Sequence, residues 1–312
     1  MPTRALITSG GGAKGAFTVG ALNALAEMGI DHYDIISGTS TGALLAALSV
    51  LGKFNELEVI YLSVDNDDIL KKQNIVDNIL NDRPFLYDTD PLREMITLHI
   101  TDDIFDEIMA SSTILCLTAI SLQTGKITVF STKELPSTDK YAVRLITEKD
   151  ELINALLASS SQAGFLKPVS MQVTTASGQP VVEQFVDGGN RDVIPSRVVT
   201  DFAPDEIYVL SNNPPSLFKG ESDYTRNSVI NVIMRAISIF IQDVRENDVA
   251  VLDEYQQRTG AKVFRIEPKQ DLDPAHPTGL NFNSTAMTLW MGMGRSKANA
   301  VVPLRDRPLR PF

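Results

Sequence analysis

Ser40 stands in the run Gly38-Thr39-Ser40-Thr41-Gly42. An apolar stretch, "YDIIS", leads in, and "TGALLAALSVLG" leads out. Glycine-flanked serine at a strand-to-helix junction is the arrangement of a nucleophile elbow. The glycines, Gly38 and Gly42, relieve crowding where the chain doubles back, and the turn lifts the hydroxyl above the sheet edge. A serine hydroxyl at its ordinary pKa is a weak nucleophile and needs a base to take its proton. The same residues could also serve as a plain helix cap at Ser40 or Thr39. The neighbouring elements must therefore supply the rest of any chemistry.

Two other stretches have suitable residues. "SGGGAKGA" has Gly10, Gly12 and Gly15 in G-x-G-x-x-G spacing between a strand and a helix. Such a loop turns sharply and points successive N–H groups at an anion, which the helix N-terminus also attracts. That anion could be an oxyanion or the pyrophosphate of a dinucleotide. The dinucleotide reading lacks an acidic residue at the end of the second strand. "QFVDGGNRDVIP" places Asp187 at a strand end, before Gly188 and Gly189, where a carboxylate could act as base or merely shape a turn. There are three histidines. His32 and His99 have no motif context. His276, in "DPAHPTG", would complete a Ser40–Asp187–His276 triad in α/β-hydrolase chain order.

These residues need a scaffold, and the 312-residue chain can build one. "RALITSG" and "YDIIS" read as buried strands, and "AFTVGALNALAEMG" and "TGALLAALSVLG" as helices. A strand–helix–strand–helix start implies a parallel sheet covered on both faces. Residues 53–110 read as mostly helical, with Asp90 as an N-cap before Pro91. "STILCLTAISLQTGKITVFST" and "MQVTTASGQPVVEQFVDGG" read as hairpins, and "DEIYVLSNNPP" and "KVFRIEP" as strands. Helices are expected over "EKDELINALLASS", from about Asn227 to Tyr255, and over "NSTAMTLWMGMGRSKANAVV" with Asn283 or Ser284 as cap. The Val229–Val244 stripe of the long helix, and Met287, Trp290, Met291 and Met293 of the last, are read as core. One α/β domain over residues 1–312 is the simplest organisation.

The charge balance of −11 disfavours nucleic acid as a partner. Cys116, the one cysteine, lies in "TILCLTAI" and reads as a buried small hydrophobe. No H-E-x-x-H or Cys/His cluster calls for a metal, and "DNDD" near residue 65 reads as a solvated cap. The start of the chain lacks the apolar stretch of a signal peptide, and no apolar run is long enough to span a membrane. The expectation is a cytoplasmic protein, or one exported without a cleaved signal.

Taken together, the glycine loop, the elbow and the late Asp-Gly-Gly resemble the patatin-like phospholipases. "LYDTDPLREMI", "ALLASSSQAGFLKPV" and "GLNFNSTAMTLWMGMGRSKA" are also similar to family segments. The resemblance implies a three-layer sandwich around a mostly parallel sheet and a Ser–Asp dyad that hydrolyses lipid acyl esters without a cofactor or metal. It implies Ser40 as nucleophile and Asp187 as base. It also implies an oxyanion loop over Gly10, Gly11, Gly12, Ala13, Lys14 and Gly15, with Lys14 standing where the family often has Arg. The partner would be a phospholipid or other lipid ester, reached through transient membrane-surface contact. The chain departs from the family at Ser9, where Asp is common, at Ala163, where Pro is common, and at Val193, where Asn is common. A carboxylate base with an ordinary pKa would still work at pH 5.5, where a histidine would be mostly protonated.

Overall fold

Among the described residues, nine strands form one mixed sheet: β1 (Arg4–Thr8), β2 (Ile35–Thr39), β3 (Ile114–Ser121), β4 (Ile127–Ser131), β5 (Tyr141–Leu145), β6 (Val169–Thr174), β7 (Pro180–Asp187), β8 (Glu206–Leu210) and β9 (Lys262–Ile266). This computed structural model describes residues 2–69, 71–72, 85, 87–174, 178–216, 229–274, 276 and 279–306. The strand order is β9-β8-β1-β2-β3-β4-β5, and its first five strands are mutually parallel. β4 returns antiparallel to β3, and β5 runs parallel to β4. β6 and β7 form an antiparallel hairpin that joins the sheet through β7.

Alternation along the strands sends successive side chains to opposite faces. Leu6, Ile36, Leu115 and Leu117 pack into one core with α1 (Gly15–Glu27), α2 (Thr41–Ser49), α3 (Phe54–Ser63), α5 (Asp90–His99), α7 (Lys149–Ser160) and α10 (Ser284–Val301). Ala5, Ile7, Ile35 and Cys116 face a second core with α8 (Arg197–Phe202) and α9 (Val229–Thr259). The result is the expected three-layer α/β sandwich. Its first four elements are those the hydrophobic pattern implies. α4 (Asn66–Ile69) and α6 (Asp102–Ala110) complete the helical stretch before β3, beside a two-residue ladder of Lys71–Lys72 with Tyr87–Asp88.

Several details differ from the sequence reading. Thr89, not Asp90, is the N-cap of α5, and Pro91 sits in its first turn. β5 and α8 are additional elements. The long helix begins at Val229 among the described residues. Of the stripe, Ile241 and Val244 pack partly buried against the second core, and beyond it Leu252 and Tyr255 are buried there. Phe240 is 66% exposed, and Ile241 borders a cavity. Ile230, Ile233 and Met234 have side chains outside the described set. The cap of α10 follows expectation: the Asn283 side chain accepts the Ala286 N–H at 2.9 Å. Met287, Trp290 and Met291 are buried as read. Among the described residues, no helix is long and apolar enough to cross a membrane.

Candidate active site

The edge of β3 brings Ser40 and Asp187 together. β2 occupies that edge up to the pair Thr39↔Thr118. One step on, β7 takes the same edge, starting with Ala119↔Asp187. The last residue of β2 and the last of β7 therefore face neighbouring residues of one strand. Ser40 follows Thr39 directly, and its side chain is near enough to the Asp187 carboxyl to lower its pKa.

Ser40 adopts φ 58° and ψ −132°, a conformation that is strained for a residue with a side chain. It forms the N-cap of α2 without a capping side-chain bond, so its hydroxyl is not used as a cap. The flanking glycines are packed backbone to backbone. A Cβ on Gly38 would lie 2.5 Å from the Gly42 carbonyl oxygen, and one on Gly42 would lie 2.2 Å from the Thr8 oxygen.

The glycine loop touches the serine. A Cβ on Gly10 would lie 3.0 Å from the Ser40 Cβ and 3.6 Å from its Oγ. Hydrogen bonding divides the loop. The Ala13 N–H donates to the Gly279 carbonyl at 2.8 Å, and the Lys14 N–H to the Gly11 carbonyl at 3.2 Å. The Gly15 N–H turns back to Gly12 and Ala13. Among the described residues, the N–H groups of Gly10, Gly11 and Gly12 have no such acceptor. These three glycines also line the cavity, whereas Ala13 and Gly15 do not. The donor set for an anion is therefore narrower than the whole loop. The Lys14 side chain is buried and donates to Asn213 Oδ1 at 2.8 Å, with Asp271 Oδ1 at 3.4 Å.

Asp187 is 7% exposed. Burial pushes its carboxyl up to about 6, against hydrogen bonds from the Ser40 side chain and the Gly189 N–H that pull it down. The Gly189 bond is 2.7 Å long. Gly188 passes so close to β3 that a Cβ would lie 2.4 Å from the Thr118 oxygen. The expectation that the base still works at pH 5.5 rested on an ordinary carboxylate, and desolvation removes that premise.

His276 lies apart from this group. Its side chain is 54% exposed, its Nδ1 sits 3.0 Å from Asp273 Oδ1, and it does not line the cavity. His32 does not line the cavity either, but His99 borders it among apolar residues, and burial lowers its pKa.

The cavity holds about 790 Å³, within the range of small-molecule sites. Ser40, Asp187 and the glycines form one part of its wall. Leu44, Leu48, Leu57, Ile60, Leu92 and Ile96, from α2, α3 and α5, form a long apolar part. Lys14, Asn213, Arg235 and Asp271 add a polar corner. Among the described residues, no group of three His, Cys, Asp or Glu side chains could hold a metal ion.

A family model, patatin-like phospholipase, matches residues 6–215, the span that carries the glycine loop, the elbow and the Asp-Gly-Gly. The chain belongs to the patatin-like phospholipase family. It is 28% identical over 178 residues to a cGAMP-activated phospholipase of Escherichia coli (strain TW11681), covering 53% of this chain and 48% of the relative. It is 43% identical over 63 residues to a cUMP-AMP-activated phospholipase of Escherichia coli, covering 19% of this chain and 20% of that one. The matches thus span less than half the length of these curated relatives. VipD from Legionella pneumophila, a solved structure, aligns over 95% of this chain and 67% of its own with a TM-score of 0.40 and 12% identity.

In this patatin-like chain, Ser9 replaces the frequent Asp without leaving a gap. Its hydroxyl accepts the Asn212 N–H at 3.0 Å. Asn212 in turn donates to the Ser9 carbonyl and accepts from Thr18, pinning the loop from behind. Val193 is buried and borders the cavity. Sequence reasoning missed Asn212, whose "SNN" signal at a strand end reads as an ordinary turn. It also missed a buried cluster below Asp187. Arg197 Nη1 donates to Asp192 Oδ1 at 2.6 Å and to Asp248 Oδ1 at 2.7 Å, and the Asp192 carbonyl accepts the Thr39 hydroxyl at 2.9 Å. Asp192 and Arg197 are close in sequence, but Asp248 comes from α9, a pairing that no spacing rule reveals.

Proposed function

We propose that this chain is a lipid acyl hydrolase that cleaves carboxylic esters through an acyl-enzyme on Ser40. The observation that carries the reading is the shared edge of β3, which brings Ser40 and Asp187 together beside three glycine N–H groups that have no backbone acceptor among the described residues.

Asp187 takes the hydroxyl proton as Ser40 Oγ attacks the ester carbonyl. The N–H groups of Gly10, Gly11 and Gly12 face the oxygen on which negative charge develops. A preorganised donor of this kind contributes about 3–4 kcal/mol in other hydrolases. The tetrahedral intermediate collapses, the C–O bond to the alcohol breaks, and Asp187 returns the proton to the departing oxygen. Water then repeats the cycle: Asp187 takes its proton as the oxygen attacks the acyl carbon, the C–Oγ bond breaks, Asp187 returns the proton to Ser40, and a free fatty acid leaves. The scheme uses no metal or cofactor. The apolar wall of the cavity suits the acyl chain and the polar corner suits the alcohol portion, as in a phospholipid or a related lipid ester. Such a substrate brings the protein into transient contact with a membrane surface.

A fluorophosphonate probe tests the nucleophile. It should label one peptide, the one containing Ser40, and Ser40→Ala should abolish the labelling. Full labelling of the variant would refute the reading. Mass spectrometry of total lipids incubated with either protein identifies the substrate class. Because the two relatives are named for activation by cGAMP and cUMP-AMP, the incubation is run with and without each.

A further inference from the structure

The C-terminal end of α7 is the run Ser159-Ser160-Ser161, and each of its serines touches the dyad. The Ser161 carbonyl accepts the Asp187 N–H at 2.8 Å. The Ser160 hydroxyl lies 3.3 Å from the Ser40 carbonyl. The Ser159 hydroxyl accepts the Ser40 N–H at 3.0 Å and donates to the Thr118 carbonyl at 2.6 Å.

Serines near a helix end commonly bond back to the carbonyl four residues earlier. Ser160 and Ser161 do so, to Leu156 at 2.9 Å and Leu157 at 2.8 Å. Ser159 does not. It is fully buried, and its hydroxyl bridges two strands instead of capping its own helix. The bridge lies where β2 has ended, at Thr39↔Thr118, and β7 has just begun, at Ala119↔Asp187.

We propose that Ser159 is a positioning residue for the dyad: its hydroxyl holds the strained Ser40 backbone so that Oγ meets Asp187 and the glycine loop. The inference rests on the dyad reading above. A backbone at φ 58° persists only where its surroundings over-determine it. A buried N–H must also find an acceptor. The Ser159 hydroxyl meets both needs and ties the nucleophile to β3, the strand against which Asp187 is paired. Without it, the Ser40 N–H and the Thr118 carbonyl both lose a partner, and the elbow relaxes. A displacement of about 1 Å at a reacting group can cost roughly 100-fold in rate.

The test uses Ser159→Ala, Ser159→Thr and Ser159→Val in the full chain. Thr and Val have nearly the same shape, but only Thr keeps the hydroxyl. Readouts are kcat and KM on a soluble p-nitrophenyl ester, the rate of fluorophosphonate labelling, and near-UV circular dichroism for folding. In Ser159→Ala, kcat and labelling rate should both fall by about 10- to 100-fold with KM within about twofold. Thr should be more active than Val. A folded Ser159→Ala with kcat and labelling within threefold of the parent overturns the proposal, as does equal activity of folded Thr and Val variants. If Ser159→Ala does not fold, the Thr and Val pair decides. The dyad reading fails by a different result, full labelling of Ser40→Ala.

Discussion

Two buried aspartates lie close together after β7, in opposite environments. Among the described residues, no cation lies beside Asp187: its pKa is lowered only by the Ser40 side chain and one backbone N–H. Asp192 is clamped by Arg197, which also holds Asp248. Burial raises the pKa of both, but the compensations differ. Arg197 pulls Asp192 down, but burial and the facing Asp248 charge still leave its carboxyl well above the usual carboxylate range. At Asp187 only neutral donors oppose desolvation, and its pKa rises to about 6. A carboxylate fixed to an arginine is a poor base, because a proton must displace the ion pair. A carboxylate held by neutral donors can accept and return a proton near neutral pH. The contrast separates a residue suited to chemistry from one that anchors its loop.

Asp187→Asn is the strongest way to break the comparison. It keeps the shape and the acceptor for Gly189 but removes the proposed base. We expect kcat/KM on a soluble ester to fall by about 10²–10⁴-fold. The parent's own pH profile sharpens the point. The proposed mechanism requires the ionised carboxyl, so kcat/KM should drop about tenfold per pH unit below about 6. A profile flat down to pH 4.5 would mean that Asp187 is not the base.

Arg197→Met addresses the other member. It leaves Asp192 and Asp248 buried with no cation between them. Breaking a buried ion pair in this way costs about 3–5 kcal/mol. Thermal unfolding at pH 7.5 should show a large fall in Tm, and the fall should shrink as pH drops and the two carboxyls take up protons. Activity should decline as well, because the Asp192 carbonyl holds Thr39 next to Ser40.

Asp187→Asn should have a second, smaller effect of opposite sign on stability. The folded pKa of about 6 lies above the unfolded value of 3.8. Folding therefore favours the protonated form, and the ionised form destabilises the protein at neutral pH. A difference of roughly two pKa units corresponds to about 3 kcal/mol. The variant should thus melt higher than the parent above pH 6. The gain should fade through the interval below 6 and vanish below about 4, where Asp187 is protonated in both states. Equal melting temperatures at pH 7.5 would show that the charge is better solvated than its burial indicates.

The contrast also shows what a sequence can and cannot reveal. The elbow, the glycine loop and the Asp-Gly-Gly are local arrangements in which glycines mark where backbone must approach backbone, so their positions were legible. The first four elements were legible because their apolar runs are buried in a sheet covered on both faces. β5 was not: "YAVRL" is short, and only Tyr141 is fully buried. The Phe240 stripe misled because helical periodicity reports an apolar face without saying what covers it. The raised pKa of Asp187 depends on burial, and the Arg197 clamp on a contact with α9. Ser159 was hidden among three adjacent serines, because which of them turns toward the sheet is decided only by the docking of α7.

The smallest expected effect belongs to His276, the remaining candidate for a base. Its Nδ1 faces Asp273, and Asn281 Nδ2 lies 3.1 Å from the same nitrogen. The ring is about half exposed and outside the cavity wall, so it cannot take the Ser40 proton without moving its loop. That loop is anchored, since the Gly279 N–H donates to the His276 carbonyl and the Gly279 carbonyl accepts the Ala13 N–H. His276→Ala can therefore disturb the glycine loop only indirectly, through packing. We expect kcat/KM to stay within about tenfold of the parent, equivalent to at most about 1.4 kcal/mol. The acid limb of the pH profile should stay near 6, because it reports Asp187. If His276→Ala were as damaging as Asp187→Asn, with both variants folded, the loop would have to close onto Ser40 during catalysis, and a triad would replace the dyad. A moderate loss that leaves the acid limb in place would instead locate the effect in the Gly279 contact, which Gly279→Ala would then reproduce by crowding the Gly11 carbonyl.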